Sequence, residues 1–136
     1  MNDFVDGDRF EENLDTRALV ERHWKTLESG DLDTEHWFYH PDAVLEYPQS
    51  GELIVGRDNI HASRAAGPRR IILKAKTVIG QDDLWVTEYT VSQDGKLTFA
   101  VSIMEFRDRK VIHETIYLAD TLVPPAWRAR FGRPKA

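Results

Sequence analysis

Asp94-Gly95 sits between two runs that alternate apolar and polar residues, Leu84–Val91 and Leu97–Phe106, and this pattern constrains the chain most. A two-residue connection needs positive φ at both positions, which Asp-Gly accepts readily, so the runs must fold back on each other as a hairpin. That turn pairs Trp85 with Met104, Thr87 with Ser102 and Tyr89 with Ala100 on one face. Val86, Glu88 and Thr90 then oppose Ile103, Val101 and Phe99 on the other, because strand side chains alternate with period two. Both faces are substantially apolar. One requires a cover of helices, and the other is expected to meet a second copy of the chain, since contiguous exposed apolar patches mark interfaces.

Two further period-two runs, Ile71–Ile79 and Val111–Ala119, flank the hairpin and extend it to a four-strand meander. The preceding half is helical in spacing. Leu19, Val20, His23, Trp24 and Leu27 form an apolar stripe, with Asn13 or Asp15 as cap and Gly30 as stop. A short helix over Thr34–Tyr39, capped by Asp33, ends at His40-Pro41, because a residue before proline is pushed out of the helical region. Strands Ala43–Tyr47 and Glu52–Val55 flank the turn "PQSG", and a third helix starts near Asp58 and stops at Gly67-Pro68. Helices followed by an antiparallel meander make an α+β pattern.

At 136 residues the chain fits one domain, with an acidic N-terminal tail (1–12), a core domain (13–122) and a basic C-terminal tail (123–136). The absence of cysteine excludes disulfides and thiolate metal sites. A net charge of −5 argues against a nucleic-acid surface, and no apolar run reaches the length of a membrane span. The expected location is the cytoplasm.

The order helix, "ESGD" turn, short helix, "HPDAVLEYP", "GRDNI" helix and meander resembles the nuclear transport factor 2-like superfamily. Within it the chain resembles the SnoaL-like polyketide cyclases and ketosteroid isomerases over about Leu14 to Asp120. "YPQSGE", "GRDNI" and "PPAWRARF" look like a SnoaL-like subgroup whose members mostly lack an assigned activity. The resemblance implies a cone: a curved antiparallel sheet wrapped around three N-terminal helices, with an apolar pocket at one end. It also implies acid–base chemistry without cofactor or metal. The isomerase base falls on Tyr47, its oxyanion tyrosine on His23 and its second oxyanion acid on Ser102, while the cyclase aspartate falls near Ile116. None of these positions carries the family's catalytic residue, so neither known mechanism transfers.

The residues themselves supply other candidates. Tyr47 should point inward with Leu45 while Glu46 faces solvent. His23 is either a proton-transfer group or an interior histidine. Trp24, Trp85, Thr87, Tyr89, Ser102, Met104, Ile112 and Ile116 would line a cavity or simply fill a core. His36 and His40 have a metal-compatible spacing without a third ligand, so no metal site is expected. Arg57 is expected to pair with Asp58 or Glu52, or to rim the mouth. Glu114 is the principal acid, since a carboxyl in an apolar cavity becomes a usable acid or base. Its direction depends on the last hairpin. A three-residue loop, Arg107–Arg109, would pair Met104 with Ile112 and Ser102 with Glu114, and so turn Glu114 inward. The expected function is binding a small, mostly apolar molecule, with Glu114, Tyr47 and His23 as catalytic candidates for cofactor-free isomerase, dehydratase, cyclase or hydrolase chemistry. The alternative is a non-catalytic ligand-binding or dimerisation module.

Overall fold

The computed structural model describes residues 6–68 and 70–135. Helix α1 (Asp6–Ser29), α2 (Leu32–His36), strands β1 (Tyr39–Tyr47) and β2 (Glu52–Val55), and helix α3 (Arg57–Ala65) come first. The strands β3 (Ile71–Gln81), β4 (Leu84–Gln93), β5 (Lys96–Arg107) and β6 (Lys110–Asp120) follow, and a one-turn helix α4 (Ala126–Ala129) lies near the end. One curved, open sheet has the order β2-β1-β6-β5-β4-β3. Its contacts are antiparallel except where β1 runs parallel to β6, the pairing that brings the two halves of the chain together.

The Asp94-Gly95 hairpin forms as expected, with φ of 50° and 82° at its two residues. Trp85 pairs with Met104, Thr87 with Ser102, Tyr89 with Ala100 and Val86 with Ile103. The inner residues Trp85, Thr87, Tyr89, Ala100, Ser102 and Met104 are buried against the helices, whereas Phe99 on the outer face is exposed. From α1 the stripe delivers Val20, His23 and Trp24 into that core. Each large apolar side chain buried there contributes about 1.5–3 kcal/mol. Gly80 is obligatory: a Cβ would lie 2.5 Å from the Trp85 ring and from the Leu84 carbonyl.

Helix α1 begins well before the cap expected at Asn13 or Asp15. Asn13 instead accepts a hydrogen bond from the Asp82 N–H (2.7 Å), Arg17 donates to the Val78 carbonyl (2.6 Å), and Glu28 accepts from the Ala75 N–H (3.0 Å). These α1 side chains occupy backbone groups along edge strand β3 and its turn, which would otherwise template further pairing. Asp31, not Asp33, caps α2, and Tyr39 opens β1 rather than closing the second helix. Gly56 occupies the cap position of α3, which leaves Asp58 in the first turn.

The last hairpin departs from expectation in its turn and in its register. Asp108 and Arg109 form a two-residue turn with φ of 52° and 64°. Arg107 pairs with Lys110 and Phe106 with Val111, not Phe106 with Lys110. Continued unbroken, that register would put Glu114 opposite Ile103, on the outer face. Ile112 is an extra residue in a bulge, and beyond it Glu105 pairs with His113 and Met104 with Glu114. The bulge restores the parity that the tight turn would have inverted. Glu114 therefore points inward, although its partner is Met104 rather than Ser102, and Ser102 opposes Ile116. Ile112 itself is only half-buried.

Candidate functional site

Five side chains from five elements converge inside the cone. Helix α3 buries Ile60, and one turn later Arg64 projects from the same stripe. Its guanidinium reaches Glu35 of α2 in a very short contact, the Tyr39 hydroxyl at 2.7 Å and Glu114 Oε1 at 3.0 Å. Tyr39, at the start of β1, donates to Glu114 Oε1 at 2.5 Å, and Ser102 of β5 donates to Glu114 Oε2 at 2.5 Å. Glu114 is completely buried and accepts from three donors, which engage both of its oxygens. Arg64 also lies over the Tyr39 ring, with its guanidinium carbon 5.0 Å from the centroid.

Two carboxyl groups share one guanidinium here, so the cluster carries a negative charge when both are ionised. Burial raises the Glu35 carboxyl, and the negative Glu114 pushes the same way, against the pull of Arg64. Burial disfavours a charged Arg64, but Tyr39, Glu114 and Glu35 together more than offset this and hold it cationic. The Tyr39 phenol is pushed well up, first by burial, and stays a donor. Burial also raises the phenols of Tyr47 and Tyr89, and the charges of Arg64 and Glu114 act on both.

His23 is enclosed beside the cluster. Its ring stacks on Phe38 (4.1 Å) and meets Trp24 and Tyr39 edge-on. Nδ1 is 3.7 Å from Glu35 Oε1, too long for a hydrogen bond, and neither ring nitrogen has a partner among the described residues. Burial, with a smaller contribution from Arg64, lowers its pKa well below the usual value, so the ring is neutral.

Among the other sequence candidates, Trp24, Trp85, Thr87, Tyr89, Ser102, Met104 and Ile116 are all buried. The Trp24 indole donates to the Thr87 hydroxyl at 2.8 Å. Leu45 is buried and Tyr47 half-buried, while Glu46 turns outward to His113 (3.2 Å). Arg57 pairs with neither Asp58 nor Glu52: it donates to the Tyr39 carbonyl (3.3 Å) and lies over Trp37 (4.6 Å). His36 and His40 do not form a pair, since His40 lies in β1 and accepts from the Asp42 N–H.

Sequence reasoning missed Glu35, Tyr39 and Arg64. Arg64 has a legible signal, because it follows Ile60 by four residues on an otherwise polar helix. Glu35 and Tyr39 have none, since their roles arise only where α2 and β1 meet α3 and β6.

A model of the SnoaL-like domain matches residues 20–114. No curated protein matches the chain. Among solved structures, a nuclear transport factor 2-like protein of unknown function from Burkholderia xenovorans is 40% identical, with 94% of this chain and 98% of that chain covered and a TM-score of 0.83. A candidate ketosteroid isomerase from Kribbella flavida is 19% identical, with 92% and 93% covered and a TM-score of 0.85. An LEH-like epoxide hydrolase from M. tuberculosis is 18% identical, with 79% and 84% covered and a TM-score of 0.66. The last two share the fold alone. By the span of the domain match and the Burkholderia likeness, the chain belongs to the SnoaL-like domain family and has the nuclear transport factor 2-like fold.

Proposed function

We propose that the protein binds a small, mostly apolar organic molecule inside the cone, in the cytoplasm, and turns it over by acid–base chemistry that uses its own side chains. The observation that carries this reading is the buried Glu35–Arg64–Glu114 bridge with Tyr39 against it. Burial and the negative Glu114 favour a proton on Glu35, against the pull of Arg64, which would split the two carboxyl groups into an acid and a base. Glu35, raised by burial, is the proton holder in this reading, and Glu114 is the base. Tyr39 supplies a hydrogen-bond donor for charge that develops on the molecule. In this reading the buried Trp24, Trp85, Tyr89, Met104 and Ile116 supply the apolar wall, and the half-buried Tyr47 stands at its more accessible edge. His23 fits a positioning role behind Tyr39 better than proton transfer, because it is neutral and unpartnered.

The reaction types that fit are isomerisation, dehydration and hydrolysis. The names of the fold neighbours make small epoxides and ketosteroid-like enones reasonable first probes. Native mass spectrometry of the purified protein should reveal a bound small molecule, and a panel of epoxides and enones should give turnover that Glu114→Gln abolishes. Turnover retained in Glu114→Gln would overturn the catalytic assignment. The engagement of both Glu114 oxygens by three donors favours one second reading, a binding module whose cluster is purely structural. That reading expects a bound molecule unchanged after incubation.

The outer sheet face is the proposed homodimer surface, since Phe99 (42% exposed) and Tyr117 (44%) lie there beside Val101 and Ile103.

A further inference from the structure

Beyond β6 the chain continues as an apolar arm that touches almost nothing of its own domain. Leu122 is 83% exposed, Val123 89%, Trp127 73% and Phe131 76%. Each aromatic ring of the arm has an arginine beside it: Arg128 lies 5.5 Å from the centre of Trp127, and Arg130 4.5 Å from that of Phe131. On the outer sheet face a hollow of about 190 Å³ is lined by Phe99, Val101, Tyr117 and Ala119, with Lys76 and Glu88 as its charged residues. Arm and hollow are thus two uncovered apolar features of one chain, and the arm begins directly after the strand that supplies Tyr117 and Ala119.

We infer that the arm clasps a second copy of this chain, seating Trp127 or Phe131 in the partner's outer-face hollow. The inference rests on the outer face being the dimer surface and adds the element that locks it. Three observations favour a second copy as occupant. The first is continuity: a two-fold axis through the outer face carries each arm from its own β6 onto the face across from it, so one contact buries both features twice. Pro124-Pro125 stiffens the start of the arm, with Pro125 extended.

Charge is the second. The arm carries Arg128, Arg130, Arg133 and Lys135 and no acid, which leaves the rest of the chain with 14 cations against 23 acidic residues, a charge of −9. A basic arm on an acidic body is attracted to another such body, whereas an anionic lipid surface would repel that body. The third is composition, since Trp and Arg are the residues that dominate interface energies when seated in a pocket.

Sedimentation of the 136-residue chain and of its variants tests this directly. The wild type should be a dimer, and Val101→Lys, which places a charge in the apolar face, should give monomers. Trp127→Ala with Phe131→Ala should raise the dimer dissociation constant by about tenfold or more. Both side chains are exposed within the chain, so the fold should stay intact by circular dichroism. A photo-crosslinker at position 127 should link to a peptide containing Phe99 or Tyr117 on the other copy, as scored in mixed light- and heavy-isotope dimers. A monomeric wild type would overturn the dimer and the arm together. A dimer indifferent to the arm substitutions would overturn the arm alone. Crosslinks confined to one chain, or binding of the monomer to anionic vesicles through the arm, would refute the second copy as occupant.

Discussion

His113 and Glu114 are adjacent on β6 and meet opposite fates. Glu114 turns inward to Arg64, Tyr39 and Ser102, with no exposure at all. His113 turns outward between Glu105 (2.6 Å) and Glu46 (3.2 Å), with a third of its side chain in water. Each group sits among charged and polar partners of similar number. What differs is the medium. Water screens the outer triad, and long side chains lose entropy to hold it, so such pairs contribute about 0–1 kcal/mol. Inside, desolvation makes every charge costly unless it is paired, so each member of the inner cluster becomes indispensable to the others.

Arg64→Ala presses hardest on that contrast. It strands Glu35 and Glu114 without their cation and should cost about 3–5 kcal/mol of stability in urea unfolding at pH 7. A loss under about 1 kcal/mol would mean that the cluster is hydrated like the outer triad. Ser102→Ala removes one of the three donors to Glu114 and should cost about 1–3 kcal/mol, again by urea unfolding. An unchanged midpoint would show that Oε2 finds another donor.

The pH dependence sharpens the comparison next. His23 has a folded pKa well below its usual 6.5, so the unfolded chain takes up the proton first. Its stabilising contribution is complete above about pH 6.5 and is lost as pH falls, by up to about 1.4 kcal/mol per unit. Glu35 acts oppositely. Its raised folded pKa favours the protonated form, so its contribution is complete below the usual 4.5 and is lost as pH rises through the folded pKa. The stability difference between wild type and His23→Phe isolates the first effect and should shrink for wild type from pH 7 to pH 5. A difference flat across that range would place a charged histidine in the fold. The smallest effect belongs to the outer triad: His113→Ala should cost less than about 1 kcal/mol and respond to salt. A salt-insensitive loss of 2 kcal/mol or more would erase the distinction between the two faces.

How much of this was legible depends on whether the signal was local. The Asp94-Gly95 turn specified its own strand pairing to the residue, because hairpin registry is set by two backbone torsions and the alternation that follows. The helical stripe of α1 placed Val20, His23 and Trp24 in the core for the same reason, periodicity alone. A three-residue loop would turn Glu114 inward; the chain reaches the same direction through a tight turn plus a bulge at Ile112. The turn inverts the parity and the bulge restores it, and no local spacing specifies that pair of irregularities.

The strands and register of the central hairpin, its inner and outer faces and the core stripe of α1 thus follow from local spacing, since each depends on residues a few positions apart. The cluster that gives Glu114 its partners was decided by tertiary structure. Glu35, Tyr39 and Arg64 lie 79, 75 and 50 residues from Glu114 along the chain. They meet it only because β1 aligns parallel to β6 and α3 packs against β1 and α2. No local pattern marks such a meeting, because its driving force, the penalty for leaving buried charge unpaired, exists only once the interior has closed.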